Sequence, residues 1–360
     1  MAASERLRAY LLAGQVIPAH PLALDERRML DERHQRALTR YYLDAGAGGL
    51  AVGVHTTQFE IRQPQHGLYR PVLELAMEVV REKLESTPRP FGMVAGLVGD
   101  TRQALAEAEF ASALGYDAGL LSLGAWRDAD EQSMLDHCRA VAEAIPLFGF
   151  YLQPAVGGRE LSHAFWRRFA EIPELIAIKI APFDRYRTID VVRAIAASGR
   201  DDVALYTGND DSIIVDLLTP FPVEVQRRAG VRHIVGGLLG QWAVWTRRAV
   251  EMLEEIRVVR ERRASDEEAR PASADSWLKR AAALTDANAA IFDAAHRFAG
   301  CIPGIHEVLR RQGLMRGTWC LDPAETMSPG QSEEIDRVLR QYPELSDGAW
   351  VAERLDGWLS

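Results

Sequence analysis

Short apolar, β-branched runs alternate with amphipathic segments eight times before about residue 260. Each run is apolar along its whole length, which is typical of a strand covered on both faces. The candidate strands are 15–20, 49–54, 92–97, 118–123, 147–152, 175–180, 203–207 and 233–238. Eight parallel strands joined by right-handed helical crossovers close into a (β/α)8 TIM barrel. An open doubly wound sheet fits the same alternation, because periodicity alone does not separate the two folds.

The segments between the runs carry apolar residues at helical spacing. In 101–114 the residues Ala104, Leu105, Ala108 and Ala111 recur on one face, the stripe expected of a helix that packs on a sheet. The other predicted helices are 26–45, 72–84, 131–144, 163–170, 186–197 and 241–262. The alternation therefore predicts an α/β fold.

The domain prediction follows from where this alternation stops. Residues 1–262 are expected to form the catalytic barrel, and residues 263–360 a linker and a C-terminal helical domain. The linker begins in a run dense in charged and small residues, which is typical of a solvated segment. Beyond it, 277–299, 305–312 and 332–342 have helical patterns.

Composition narrows the class of partner. The 360-residue chain has a formal net charge of -9, so it lacks the basic footprint expected of a protein that binds nucleic acid or an anionic membrane. No apolar run approaches the roughly 20 residues that cross a bilayer, and the first residues do not resemble a secretory signal. We therefore expect a cytoplasmic protein whose partner is a small molecule.

Cysteine and histidine spacing argues against a metal site. Cys138, Cys301 and Cys320 form no CxxC pair, and the nine histidines include no HExxH motif. Disulfide frameworks and zinc sites have such spacings. The expectation is that the protein needs no metal.

Lysine is rare in this chain. Of 42 basic residues only Lys83, Lys179 and Lys279 are lysines. Arginine replaces lysine wherever a permanent charge suffices, but a guanidinium cannot serve where the group must lose its proton. Each remaining lysine therefore merits a search for function.

Lys179 is the candidate nucleophile. It lies near the end of the sixth apolar run, and catalytic groups of barrels project from the C-terminal ends of strands. Loss of water disfavours the ammonium form and lowers a lysine pKa, which leaves a neutral amine that attacks carbonyl carbon. The alternative is a lysine whose stem packs at the edge of the core while its head reaches solvent or a carboxylate.

Other polar and small residues fall at neighbouring strand ends. Tyr151 ends the fifth run, and a phenol there can transfer protons. His55, Thr56 and Thr57 follow the second run, where hydroxyls and amides can hold a carboxylate. The small residue Gly208 and the turn that begins at Val235 are expected at the ends of strands seven and eight, as further substrate-binding positions.

The order of these parts resembles the dihydrodipicolinate synthase and N-acetylneuraminate lyase family of class I aldolases. DAGAGGLAVG at 44–53 is similar to the family's AGVDGLVVGG, and Thr56-Thr57 fall at the adjacent hydroxyls of its GTTGE motif. Tyr151-Leu-Gln-Pro154 matches YNxP, Ile178-Lys179 matches the segment with the Schiff-base lysine, and LYTGND at 205–210 is similar to LSGDD. The C-terminal helices resemble those of the family as well.

The resemblance implies a TIM barrel with a C-terminal helical appendage, no cofactor, and a homotetramer built as a dimer of dimers, or a homodimer. It implies that Lys179 forms a Schiff base with a 2-oxo acid, that Tyr151 transfers protons with Thr56 as relay, and that Thr57 binds the carboxylate. His55, Gln153 and Trp126 are expected to contact the distal half of the substrate.

Three departures argue against lysine biosynthesis. GTTGE reads HTTQF at 55–59. Val156 stands nearest the place of the arginine that binds the second substrate in dihydrodipicolinate synthases, and LGAW at 123–126 replaces a tyrosine donated across the dimer. The leading hypothesis is a lyase that reversibly cleaves a 2-oxo acid by aldol chemistry and so releases or uses pyruvate. An imine-dependent dehydratase of a sugar-derived 2-oxo acid, a catalytically inactive 2-oxo-acid sensor and a metal-dependent barrel lyase are the alternatives.

Overall fold

The computed structural model describes residues 3–225, 228–265 and 274–360. Eight strands belong to one sheet: β1 (Val16–Pro18), β2 (Gly49–Val52), β3 (Gly92–Leu97), β4 (Ala118–Leu121), β5 (Leu147–Leu152), β6 (Leu175–Ala181), β7 (Ala204–Thr207) and β10 (Gly236–Leu239). A separate antiparallel hairpin pairs β8 (Phe221–Val225) with β9 (Arg228–Arg232). The two strands of this hairpin lie between α8 (Ile213–Leu218) and β10, before the last strand of the barrel.

The parallel sheet is a closed (β/α)8 barrel. Its strand order is β1-β10-β7-β6-β5-β4-β3-β2. The two strands at the ends of that order are themselves joined, since Gly48 N–H donates to the Val16 carbonyl at 2.9 Å and His20 N–H donates to the Ala51 carbonyl at 2.8 Å. Closure removes the free sheet edges, so the open doubly wound alternative is excluded.

Helices follow the strands as predicted, and several more occur. They are α1 (Ala3–Leu12), α2 (Glu32–Asp44), α3 (Tyr69–Ser86), α4 (Thr101–Leu114), α5 (Glu131–Ala142), α6 (His163–Phe169), α7 (Arg185–Ala197), α8 (Ile213–Leu218), α9 (Thr246–Ser265), α10 (Ala274–Ile291), α11 (Cys301–Arg311), α12 (Gln331–Gln341), α13 (Gly348–Ala352) and α14 (Leu355–Leu359). The last five form the C-terminal helical appendage.

Side-chain caps fix where the helices of the βα units begin. Asp100, Asp130 and Ser162 each accept a hydrogen bond from the backbone N–H three residues later, at the starts of α4, α5 and α6. Asp184 accepts from two backbone N–H groups at the start of α7. Such caps satisfy donors that the first helical turn leaves without partners. They set the strand-to-helix loops that carry the site.

By contacts, the described residues divide into two compact units. One comprises 1–15, 92–209 and 216–238, and the other comprises 16–91, 210–215 and 239–360. The first holds α1, strands β3 to β7 and the hairpin. The second holds β1, β2 and the C-terminal helices, among which α10 packs on α12 and α14 packs on α2. The division 1–262 and 263–360 remains a prediction, and linker residues 266–273 lie outside the described part of the chain.

Candidate functional site

Lys179 lies in β6, two residues before the last residue of that strand, and is 9% exposed. Its Cα pairs with that of Phe150 in β5 and with that of Tyr206 in β7. Paired residues of neighbouring strands send their side chains to the same face of a sheet. Lys179, Phe150 and Tyr206 therefore share one face.

That face is the interior of the barrel. On the opposite face, a Cβ added to Gly149 would lie 2.6 Å from the Phe169 ring of α6, so Gly149 faces the helices. Phe148 and Phe150 alternate with it, and the Phe148 ring packs edge-on to Tyr206 at 5.3 Å between centroids. Since the helices surround the barrel, Lys179 points inward.

Two neighbours define the position of the lysine side chain. The Lys179 Nζ lies 4.6 Å from the centroid of the Phe150 ring. On another side, a Cβ added to Gly208 would lie 2.7 Å from Lys179 Cε and 2.7 Å from Ala181 Cβ. The Gly208 N–H donates to the Ile180 carbonyl at 2.7 Å, which fixes this approach. Glycine is needed here because any side chain would displace the lysine.

Tyr151 lies on the other face of β5. Its Cα pairs with Ile180, its ring packs on Trp166 of α6 at 5.2 Å, and its hydroxyl accepts the Leu161 N–H at 3.3 Å. Burial raises the pKa of this phenol above its usual value. The Tyr151 side chain is 1% exposed and is enclosed between the sheet and α6.

The predicted partnership of Tyr151 with Lys179 remains a prediction, and Phe150 is the β5 residue that pairs with Lys179. A strand sends successive side chains to opposite faces, and Phe150 takes the place facing the lysine. The YxxP match located the strand end correctly, but it could not show which of two adjacent aromatic residues faces inward. Phe150 is the site residue that the sequence reasoning missed, and the period of two along β5 was the signal that pointed to it.

A buried polar network lies at the ends of β6 and β7. Asp216 is fully buried and accepts from the Thr207 hydroxyl at 2.7 Å and from the Asn209 side-chain amide at 2.9 Å. Arg185, in the first turn of α7, forms an ion pair with the same carboxylate. Asn209 also accepts the N–H of Phe183, a residue in the left-handed region at φ +53°. The network holds the β6–α7 loop next to the end of β7.

Gln153 and Trp126 lie in loops after β5 and β4. Gln153 is 8% exposed, and its carbonyl accepts the Gly158 N–H at 2.9 Å. The Trp126 ring stacks on His137 of α5 at 4.6 Å, and its indole N–H donates to the Gly99 carbonyl at 3.2 Å. The Trp126 side chain is thus held by contacts with α5 and with the loop after β3. A role for either residue in substrate binding remains a prediction.

The segment His55–Thr57 forms a 3-10 turn after β2. The Thr57 hydroxyl donates to the His20 carbonyl at 2.7 Å and accepts the N–H groups of Gly53 and Val54 at 3.0 and 3.2 Å. This hydroxyl is buried and takes part in three hydrogen bonds. The binding of a carboxylate by Thr57 and its neighbouring amides remains a prediction.

Thr56 and His55 are less constrained within the same turn. The Thr56 hydroxyl has a longer contact of 3.4 Å with the His20 carbonyl. The ring of His55, which is half-buried, lies 5.9 Å from that of Phe59. The relay role of Thr56 and the substrate contact of His55 remain predictions.

Val235 lies immediately before its strand and not at the strand's carboxyl end. β10 begins at Gly236, three residues later than expected, so Val235 precedes the strand. A Cβ added to Gly14, which lies just after α1, would be only 2.1 Å from the carbonyl oxygen of Val235. The helix α1, which was not predicted, covers the amino ends of the strands here. A substrate contact from Val235 remains a prediction.

No group of three or more His, Cys, Asp or Glu side chains in the described ranges is arranged to hold a metal ion. Within the same part of the chain, no helix combines the length and apolar character needed to cross a bilayer.

Known proteins of similar sequence share one family. The model of the dihydrodipicolinate synthetase family matches residues 13–219. A 4-hydroxy-tetrahydrodipicolinate synthase from a Cyanothece strain is 32% identical over 143 residues, 39% of this chain and 46% of the relative. One from Aromatoleum aromaticum is 28% identical over 210 residues, 58% of this chain and 65% of the relative. The matches thus span about half to two thirds of these relatives.

Solved structures share the fold over a greater length. A dihydrodipicolinate synthase from Oceanobacillus iheyensis superposes with a TM-score of 0.70, 17% identity and coverage of 95% of this chain and 99% of that one. An N-acetylneuraminate lyase from Fusobacterium nucleatum gives a TM-score of 0.69, 17% identity and coverage of 92% and 99%. The C-terminal helices, which lie beyond the family match, are therefore part of the shared fold. The chain belongs to the dihydrodipicolinate synthetase family, whose members are class I lyases and aldolases.

Proposed function

We propose that this protein is a Schiff-base lyase in which Lys179 condenses with C2 of a 2-oxo acid. The observation that carries the proposal is the position of Lys179, which points into the barrel near the carboxyl end of β6 and is almost buried. A primary amine in such a place is suited to attack a carbonyl carbon. The iminium that results withdraws electrons from the bond that breaks.

Pyruvate is the 2-oxo acid that the comparisons favour. A prophage protein of E. coli K12 from the dihydrodipicolinic acid synthase family, solved in complex with pyruvate, has a TM-score of 0.69 and 16% identity to this chain, with coverage of 92% and 98%. We infer that this chain cleaves a larger 2-oxo acid to release pyruvate, or uses pyruvate in the reverse direction.

We infer that the reaction is not that of a typical dihydrodipicolinate synthase. The β5–α6 loop has Val156 where an arginine would bind the second substrate. The nearby Arg159 donates to the carbonyls of Ala129 at 2.6 Å and Arg127 at 3.0 Å. Its guanidinium thus ties two loops together, and a carboxylate would have to compete with those bonds.

Dehydration of a sugar-derived 2-oxo acid through the same imine is the second candidate reaction. It requires departure of a hydroxyl group in place of a carbanion, and Lys179 serves both. The inward Phe150 and the fully engaged Thr57 hydroxyl also support a third candidate, a protein that binds a 2-oxo acid as a sensor without turnover.

Assays of the protein with a panel of sugar-derived 2-oxo acids divide these candidates. A lyase releases pyruvate, measured by coupled reduction, whereas a dehydratase forms a new 2-oxo acid without pyruvate. Lys179→Arg should abolish either activity. Turnover that survives in Lys179→Arg would contradict the proposal. Binding of pyruvate without any turnover or adduct would favour the sensor.

Assembly and location are proposed from the family alone. We infer a homotetramer, as a dimer of dimers, or a homodimer in the cytoplasm. One structural neighbour, with a TM-score of 0.68, is a monomeric dihydrodipicolinate synthase variant. Sedimentation velocity at micromolar concentration measures the state directly, and a single species of about 40.0 kDa would contradict the proposal.

A further inference from the structure

The side-chain amide of Asn209, the second residue after β7, belongs to the buried network around Asp216. We propose that Asn209 is a positioning residue for Lys179, because it fixes the backbone of Gly208 against the stem of the lysine; this inference rests on the proposed function. Asn209 is 2% exposed, and Asp216 is fully buried. Asn209 acts through Gly208, so its role is to position the amine.

The hydrogen bonds of Asn209 leave its amide one orientation. The Phe183 N–H donates to Oδ1 at 3.0 Å. Nδ2 donates to the Thr188 hydroxyl at 3.1 Å and to the Asp216 carboxylate at 2.9 Å. A flipped amide would place donor against donor at the N–H and acceptor against acceptor at the carboxylate. Because a bond to a carboxylate is stronger than one between neutral groups, the amide is held firmly.

The network fixes Gly208 from both sides along the chain. The Thr207 hydroxyl donates to Asp216 at 2.7 Å and accepts the Asn209 N–H at 3.1 Å. The residues before and after Gly208 therefore bind the same carboxylate. The Gly208 N–H itself donates to the Ile180 carbonyl of β6 at 2.7 Å. The position of the Gly208 backbone thus depends on the network.

The stem of Lys179 passes close to this backbone. A Cβ added to Gly208 would lie 2.7 Å from Lys179 Cε and 3.0 Å from Cγ. Gly208 is one neighbour of the lysine among others, but it is the neighbour whose place the network decides. Attack on a carbonyl needs the reacting atoms aligned, and a misplacement of about 1 Å can cost about a hundredfold in rate. A shift of Gly208 should therefore reach the chemistry.

Asn209 also holds the chain that leaves Lys179. Phe183 lies four residues after the lysine and has a φ of +53°, a left-handed conformation that bulky residues rarely adopt. Its N–H is the donor to Asn209 Oδ1, so this bond stabilises the turn from β6 into α7. The amide therefore connects the exit of the lysine's own strand to the segment that carries Gly208.

The test compares Asn209→Ala with Val191→Ala, a matched control in α7. Val191 is fully buried, and its side chain has no polar atom, so the control loosens the helix next to the network without removing a hydrogen bond. The first readout is the rate of pyruvate trapping by borohydride at saturating pyruvate, with circular dichroism to show that each variant is folded. The same rate is measured in Gly208→Ala and in the double variant with Asn209→Ala.

The second readout needs no turnover. It is the chemical shift of the lysine Cε carbons in the full chain labelled with carbon-13 lysine, which has three lysines to assign. Asn209→Ala should move the signal of Lys179, whereas the signals of Lys83 and Lys279 should stay in place. Val191→Ala should leave all three in place.

Asn209→Ala should slow trapping by about tenfold or more, because the amine loses its alignment. Val191→Ala should change the rate by less than about twofold, since the loss of a buried apolar group affects mainly stability. Because Asn209 acts through Gly208, the double variant should be slower than Gly208→Ala by less than about threefold.

Equal trapping rates in Asn209→Ala and Val191→Ala, with the Lys179 signal unmoved, would overturn the positioning role. A further loss of about tenfold in the double variant would overturn it as well, since the effects of independent sites multiply. If the wild-type protein forms no adduct, the proposed function fails. The Lys179 signal then still decides whether Asn209 positions the lysine, so the two failures are distinguishable.

Discussion

At the scale of single residues, the site depends on how little space surrounds one amine. Lys179 extends past an aromatic ring and a glycine, and both neighbours come from strands adjacent to its own. The side chain has few alternative rotamers in such a place, because the packed interior resists even one added carbon. The strands on either side of β6 therefore fix the direction of the Lys179 amine.

Gly208→Ala tests this confinement. The added Cβ would lie 2.7 Å from Lys179 Cε, closer than real contacts allow. We expect the rate of imine trapping to fall by about tenfold or more, and the free energy of unfolding to fall by about 1–3 kcal/mol. Gly357→Ala is the control, since no atom lies within 4 Å of its added Cβ. Equal trapping rates in the two variants would contradict the account.

Sequence alone indicates the position of Lys179 better than it indicates which way the neighbouring side chains point. Lys179 was found from the scarcity of lysine and from its place in an apolar run, which are properties of the chain. Tyr151 and Thr57 were matched to motif positions, but their roles depend on which face a side chain takes and which backbone groups it meets. Those facts arise from register and turn geometry, which a motif does not encode.

At the scale of elements, capped loops and one buried network hold the strand ends. The strands β3 and β5 and the helix α4 have the predicted bounds, because strong apolar patterns and side-chain caps mark both ends. The hairpin β8–β9 and helix α1 were not predicted. β9 is largely exposed, and exposed segments carry a weak hydrophobic pattern.

Asp216→Ala removes the centre of the network at the ends of β6 and β7. The variant leaves Thr207 and Asn209 without their buried acceptor. We expect a loss of about 2–4 kcal/mol in the free energy of unfolding, measured in urea. Asp201→Ala should cost less than about 0.5 kcal/mol, because Asp201 is 73% exposed in its ion pair with Arg232. Similar costs for both variants would disprove the role of the network.

Glu325, in the C-terminal segment, lies close enough to Glu60, in the turn after β2, for the two carboxylates to repel each other. Burial, followed by the charge of Glu60, raises the pKa of Glu325 from 4.5 to about 7. The folded state then keeps a proton that the unfolded state releases, so stability falls as pH rises from about 4.5 to about 7. Glu325→Gln should be more stable than the wild type by about 1–2 kcal/mol at pH 8, with no gain at pH 4.

Urea unfolding at the two pH values measures this difference. The control is Glu344→Gln, which changes an exposed carboxylate and should show the same stability relative to wild type at pH 4 and pH 8. An equal gain for Glu325→Gln at both values would show that the carboxylate does not titrate in this range.

At the scale of the whole molecule, buried histidines set the acid limit of stability. Burial lowers the pKa of His20, His137 and His306 from 6.5 to about 4. The unfolded chain takes up protons near pH 6.5 while the folded protein does not, so stability is lost as pH falls from about 6.5 to about 4. Protonation of Glu325 has the opposite effect and favours the folded state as the pH falls. It is a single group, however, whereas three histidines destabilise the folded state.

The melting temperature should therefore fall steadily between pH 6.5 and pH 4.5. Each histidine lowers the free energy of unfolding by roughly 1–3 kcal/mol near pH 4. His137→Gln should therefore make the decline in melting temperature with falling pH about a third less steep. A melting temperature that stays constant over this range in the wild-type protein would refute the assignment of neutral buried histidines.

The fold, the family and the inward lysine together lead to one chemical claim, that Lys179 forms an imine with a 2-oxo acid. Peptide mass analysis after incubation with pyruvate and borohydride tests it most directly, since the chain offers only two other lysines. We predict a reduced adduct on the Lys179 peptide in the wild type, in Lys83→Arg and in Lys279→Arg, and none in Lys179→Arg. An adduct on Lys83 or Lys279, or none with pyruvate or other 2-oxo acids, would contradict the claim.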